Sequence, residues 1–241
     1  MRLISLALVL AAVPARAADC PVPEGFAPSL ALVDGADRLR FLRYGMRHAA
    51  HESRVWAWST VGVQLLAGNV QLLGATHSDD PGQRIDLWFG VGAVGFSLLQ
   101  IAAVPPLVTI DQLVVEKRSA REGSTCAVLA DAERRLERDA WSERRGTGPA
   151  MHVATILVNV AAALALGILF DRWTSAEINL FAGTAVGELQ VLTEPTLSVD
   201  LFERYRAGDL TPRKGERTAL RWRVAPMVRS DGGGLGFALG F

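Results

Sequence analysis

The chain has 241 residues, half of them hydrophobic, and its 25 basic residues are balanced by 25 acidic ones. A formal net charge of zero leaves no basic surplus for a nucleic-acid partner, whose phosphates would require one. The charges are absent from some windows and dense in others, the pattern of a multi-span membrane protein rather than a soluble one.

Residues 1–17 read as a secretory signal peptide. Arg2 supplies the positive start, Leu3 to Val13 a short apolar core, and Ala15-Arg16-Ala17 a small-x-small cleavage site. An uncleaved anchor is the alternative, for which the apolar run is short. Lipid attachment at Cys20 fits poorly, because Asp19 stands where a small uncharged residue is needed. Cys20-Pro21-Val22-Pro23-Glu24-Gly25 is irregular, since proline and glycine block regular structure. From about Ser29 the pattern turns helical: Leu39, Leu42, Met46 and Ala49 recur at three- and four-residue spacing between Arg38, Arg40, Arg43 and Arg47. Residues 18–54 are therefore expected to carry an extracytoplasmic amphipathic helix, lying on the membrane surface or on the other helices.

A first apolar span is expected at 55–75. Trp56 and Trp58 open it at headgroup level, and Thr60, Gln64, Gly68 and Gln71 form a narrow small and polar face. Asp79-Asp80-Pro81-Gly82 signals a turn. A second span, 87–110, starts near Trp88; Gly90, Gly92 and Gly95 suggest tight packing, and Pro105-Pro106 kinks or ends it. Residues 111–149 form a charged insert, in which Glu133, Arg134, Arg135, Glu137, Arg138, Asp139, Glu143, Arg144 and Arg145 predict an exposed, solvated helical hairpin. Gly123 divides it, with Ser124 as N-cap of the second helix.

The third span, 151–170, has the length a bilayer requires and one strongly polar group at its middle, Asn159. A fourth is expected at 176–192, where Asn179, Gly183, Gly187 and Gln190 make a stripe and Gly183-x-x-x-Gly187 permits close helix contact. Glu177 and Glu188 count against that span, and Glu188 is placed near its exit. In the tail, 193–241, Arg221, Arg223 and Arg229 alternate with Trp222, Val224 and Val228. Ser230-Asp231-Gly232-Gly233-Gly234 is a turn, and Leu235, Phe237, Leu239 and Phe241 occupy every second position. This β-hairpin resembles the last strand of bacterial outer-membrane barrels, which commonly close on a terminal Phe. One hairpin cannot close a barrel; packing on the soluble helices, or a strand lent to a partner sheet, are the other readings.

With the signal peptide cleaved, four crossings put the N-terminus, the insert and the tail outside the cytoplasm. Cys20 and Cys126 then share an oxidising compartment and are expected to form a disulfide; two separately buried thiols are the alternative. The arginine distribution opposes this orientation, because the cytoplasmic loops keep only Arg84 and Arg172. The signal peptide outweighs it, since it sets the first insertion event.

No Ser-His-Asp order, phosphate loop, dinucleotide fingerprint or clustered-cysteine metal site occurs, so no catalytic residue, cofactor or metal is expected. His48, His51 and Glu52 share a helix region but lack further ligands. The candidate functional polar groups are His152, Asn159 and Glu188, with Asn159 expected to bond Gln64 or Gln71 of the first span. The expected fold is mainly α: a four-span bundle with a charged helical insert and a C-terminal β-hairpin. The expected role is structural or interactive, in the bacterial inner membrane with a protein partner or a second copy. A membrane enzyme or small carrier built on the three polar groups is the alternative. Outer-membrane association through the hairpin is a second.

Overall fold

A computed structural model of the chain describes residues 20–103, 106–121, 124–211, 221–229 and 232–240. Residues 1–17, where a signal peptide is expected, Pro105, Gly123, Ser230 and Asp231 of the expected turn, and Phe241 lie outside the described residues.

The described chain is mainly helical. After a short 3-10 turn (Pro28–Leu32) come α1 (Gly35–His77), α2 (Pro81–Ala103), α3 (Val108–Arg121), α4 (Thr125–Gly146), α5 (Pro149–Phe170), α6 (Trp173–Thr193) and α7 (Leu197–Arg206). Asp34 caps α1, its side chain accepting from the Ala36 amide at 2.9 Å. From there α1 runs 43 residues without a break, about 65 Å at 1.5 Å per residue. The expected amphipathic helix and the first apolar stretch are thus one element. Ala49-Ala50-His51-Glu52-Ser53-Arg54 contains no helix breaker, so nothing stops the helix where its surface changes from mixed to apolar.

Two regions follow from that change. In the first, called the head here, α1 up to Ser53 packs with α3, α4 and α7. Leu39, Leu42, Met46 and Ala49 of α1 are buried with Val115 of α3, Val128, Leu129, Leu136 and Ala140 of α4, and Leu201, Phe202 and Tyr205 of α7. Gly45 lets α7 approach: a side chain there would collide with Leu201. Phe26 packs edge-on against Phe202 and Tyr205, with ring centroids 5.8 and 5.9 Å away.

The charged insert departs from the expected solvated hairpin. Arg134, Glu137, Arg144 and Arg145 do face water, but Asp111, Asp131, Glu133, Asp139 and Glu143 are buried. The apolar stripe of α4 is narrow and flanked by acids, so closing α1, α3 and α7 over it carries them inside. Three are paired with arginine. Asp111 takes Arg135 at 2.7 Å and also Arg138. Asp131 takes Arg135 at 2.8 Å and Arg118 at 3.1 Å. Glu133 takes Arg38 at 2.6 Å. Ser124 stands at the N-cap of α4, but its side chain makes no capping bond.

Arg38 is fully buried and uses its whole fork. Nε donates to Tyr205 Oη at 2.9 Å, Nη1 to the Cys20 carbonyl at 3.1 Å, and Nη2 to Glu133 Oε1 and the Pro21 carbonyl, the last at 3.4 Å. Tyr205 also donates to Glu133 Oε1. Beside this network a disulfide joins Cys20 to Cys126, at the start of α4, with Cα atoms 5.1 Å apart.

In the second region α1 pairs antiparallel with α2, and α5 with α6. Among the described residues two stretches, Pro81–Ala102 and Pro149–Phe170, are long and apolar enough to cross a bilayer, and 6% and 17% of their most apolar parts are buried. The helix expected at 87–110 begins earlier, at Pro81, and ends earlier, at Ala103. Pro81 has no N–H to lose at a helix start, and Asp80 Oδ1 accepts from the Gly82 amide at 2.8 Å. Residues 108–110, assigned by sequence to that span, open α3 instead; Val108 is buried against Ala49 and Ala50 of α1. Of the three glycines read as packing sites, Gly90 lies against Gln71, whereas Gly92 and Gly95 face open space.

Leu210–Phe241 is a second unit.

Removing Glu133 would strand the Arg38 charge in the core. Glu133→Ala is expected to lower unfolding stability by about 3–5 kcal/mol, and Cys126→Ser by about 2–5 kcal/mol. Denaturant titration of the head, followed by tyrosine fluorescence in detergent, measures both; a loss under 1 kcal/mol for either contradicts the assignment.

Candidate functional site

The strongest grouping of the predicted polar residues is the seam between α5 and α6. The two helices run antiparallel, and three levels meet across the seam. At the end nearest the head, His152 Nδ1 and Glu188 Oε2 are 2.5 Å apart, in side chains 33% and 26% exposed. At the next level Thr155 occupies the space a side chain at Gly187 would take. At the third, Asn159 Oδ1 occupies the corresponding space at Gly183. The Gly183-x-x-x-Gly187 spacing thus admits two polar side chains of α5 between the helices. It is a zipper of knobs against glycine, with the Asn159 amide oxygen at Gly183 and the Thr155 methyl at Gly187.

Asn159 does not bond Gln64 or Gln71. Its Nδ2 donates to the Thr155 carbonyl of its own helix at 2.8 Å, because α5 turns this face to α6. Gln71 lies against Gly90 in the α1–α2 pair instead. Glu188 Oε1 and Thr184 Oγ1 are buried without a hydrogen-bond partner, one turn apart on the same face of α6.

Other polar contacts fasten α6 to α1 and α2. Ser97 donates to Gln190 Oε1 at 3.1 Å and Trp56 Nε1 to Thr193 Oγ1 at 3.3 Å. At the far turns, Arg172 Nη2 meets Asp86 Oδ2 at 2.5 Å, and Ser175 donates to the same oxygen at 2.8 Å. Phe89 stacks edge-on against Phe170 at 5.6 Å, and Ile85 and Phe89 cover the buried cluster of Ala163, Leu166 and Ala176.

An imidazole bonded to a carboxylate can hold or relay a proton. His48 and His51 are exposed, and among the described residues no three His, Cys, Asp or Glu side chains converge as a metal site would require. Protein-family models, curated proteins and solved structures yield no match to the chain.

Sequence reading took Arg38, Glu133, Asp139 and Glu143 for surface charges and passed over Tyr205. A signal was present for two of them. Leu129, Ala132, Leu136, Ala140 and Glu143 follow one helical stripe, with Asp139 next to it, so the acids share the face the apolar residues bury. Arg38 carried no such signal; it looks like any arginine of an amphipathic helix.

Gly183→Ala is expected to push α6 off Asn159 and cost about 1–3 kcal/mol. Combining it with Asn159→Ala should recover most of that loss. Thermal unfolding of the single and double variants in detergent measures the coupling; strictly additive losses would refute the zipper.

Proposed function

We propose that the chain is a four-crossing integral membrane protein of the bacterial inner membrane, and that its head is an extracytoplasmic platform for a protein partner. The crossings are the apolar half of α1, then α2, α5 and α6. The observation that carries this reading is the outward-facing apolar surface of these helices. Val63 and Val70 of α1, Leu99 of α2, Leu157 and Ile168 of α5, and Phe181 and Leu192 of α6 are all exposed, next to a head that buries its apolar residues. Lipid is the solvent that such a surface suits.

Exposed tryptophans support the same placement. Trp58 of α1 and Trp141 of α4 lie toward the head, and Trp88 of α2 and Trp173 of α6 within two turns of the opposite end. The α1 stretch between Trp58 and its end covers about 30 Å, the thickness of a hydrocarbon core. The Cys20–Cys126 disulfide supports an oxidising compartment for the head. An even number of crossings puts the tail, read as a β-hairpin, on the same side. A structural role agrees with side chains that are used to fasten elements to one another. The His152–Glu188 pair favours a second reading, a proton-coupled carrier or membrane enzyme.

Reporter fusions after residues 80, 130 and 225 test the topology. A cytoplasmic signal is expected at 80 and an extracytoplasmic one at 130 and 225; a cytoplasmic signal at 130 would overturn the orientation. Purified protein in proteoliposomes is expected to leave an interior pH dye unchanged under a proton gradient. Proton uptake abolished by Glu188→Gln in a folded variant would replace the platform with the carrier. Recovery of the chain with the outer membrane would move the whole reading there.

A further inference from the structure

Three acids gather where the head meets the apolar helices. Asp139 and Glu143 of α4 and Glu194 of the α6–α7 turn line a hollow together with Ser53 and Trp56 of α1 and Val108 of α3. The hollow has about 20 Å³ of room, enough for a single water molecule.

Asp139 is 1% exposed, and as a carboxylate neither of its oxygens has a donor to accept from. Glu143 is 9% exposed, and its two oxygens differ. Oε2 accepts from the Ser198 amide at 2.8 Å and the Val199 amide at 3.2 Å, which seats the first turn of α7 on α4. Oε1 has no partner. Glu194 is held close by: a side chain at Gly146 would meet its Oε1 at 2.7 Å.

The charge around the hollow is unmatched. On α4, Arg138 is the facing base, but it is bonded to Asp111, as is Arg135. From α3 the facing group is Asp111 itself, and from α7 it is Asp200, both acids. The α1 wall contributes Ser53 and Trp56, which carry no charge. Three carboxylates cannot all stay ionised in so small a space without compensation. Their oxygens do not converge as a metal site would require. Protons are the remaining source of positive charge.

We propose that this hollow is a proton-binding site, in which Asp139, Glu143 and Glu194 hold protons near neutral pH, and that losing them loosens the seat of α7 on the head. When protonated, Asp139 can donate to Asp111. As protons leave, like charges accumulate around Glu143, and the turn bearing Glu194 is driven away from α4. Because α7 supplies Tyr205 to the Arg38 network, the same event reaches the core of the head.

The titration behaviour agrees. Burial, then the neighbouring Asp111, pushes Asp139 up to about 9. Burial raises Glu143 to about 7 against the bonds from Ser198 and Val199. Burial, then the Glu143 charge, raises Glu194 to about 7. Each group binds its proton more tightly folded than unfolded. Stability is therefore greatest on the acid side and falls as pH rises from the ordinary carboxylate range to about 9. Glu116, held low by its bond to Arg47, acts in the opposite sense, with its effect confined below the ordinary carboxylate range.

The test uses the full chain in detergent. Between about pH 5 and about pH 9 the unfolding midpoint is expected to fall by several degrees, and Asp139→Asn, Glu143→Gln and Glu194→Gln each to flatten that fall. Infrared spectra of the wild type should show a protonated-carboxyl band at neutral pH that weakens in Asp139→Asn. After correction for intrinsic exchange, the Ser198 and Val199 amides should lose protection with rising pH more steeply than those of α5. A midpoint that is flat or rises over this range overturns the proposal, as does a carboxyl band unchanged in all three variants. Calcium, magnesium or a chelator at fixed pH should leave the midpoint in place; a shift would assign the hollow to a metal cation instead. If Asp139→Asn does not fold, Glu194→Gln, at a turn, carries the same readouts.

Discussion

The head depends on a single buried guanidinium. Arg38 has no access to water, so every N–H it carries must find an acceptor inside the protein. Those acceptors come from three separate places: the backbone of the N-terminal segment, α4 and α7. None of the contributing elements can shift without leaving a charge or a polar group unpaired in the core, and a buried pair that loses one member is far costlier than a pair never made. The disulfide reinforces the same geometry, because it joins the N-terminal segment to the start of the helix that carries Glu133.

From that fixed point α1 carries rigidity outward. It is continuous from the Arg38 network to the far turns, so the head and the first apolar stretch share one backbone. The apolar helices then associate by a different rule. Gly68 against Val94, Gly90 against Gln71, Gly183 against Asn159 and Gly187 against Thr155 each place a side chain where glycine leaves room. Close approach holds these pairs together, with a polar group in the gap at Gly90 and Gly183 and a methyl at Gly68 and Gly187. The acids at Asp139, Glu143 and Glu194 stand at the boundary between the two regimes, and α7 is seated on the head by one of them.

Much of the helical layout was legible because a 3.6-residue period and a run of apolar residues are local properties. Met151 to Phe170 needed no partner to be recognised, and α5 begins only two residues earlier than that reading. The Cys20–Cys126 pairing was legible for another reason: with two cysteines there is only one possible partner. Asn159 was misassigned because its period shows which face it lies on and not which helix covers that face; α6 covers it. The charged insert was misread in the same way. Alternating acids and bases look solvated until α1, α3 and α7 close over them, and burial is a property of the closure.

The sequence by itself determined that the chain is mainly helical and strongly apolar in particular windows, and that His152, Asn159 and Glu188 are the polar groups near or within the later of these windows. These follow from hydrogen-bond geometry and side-chain periodicity within a single element. Only the tertiary structure decided that Arg38 is a core residue, that Glu143 holds α7 in place, and that Asp139 has no base to answer its charge. A side chain's ionisation and its partners depend on which elements exclude water from it, and that is set by contacts between residues far apart in the chain.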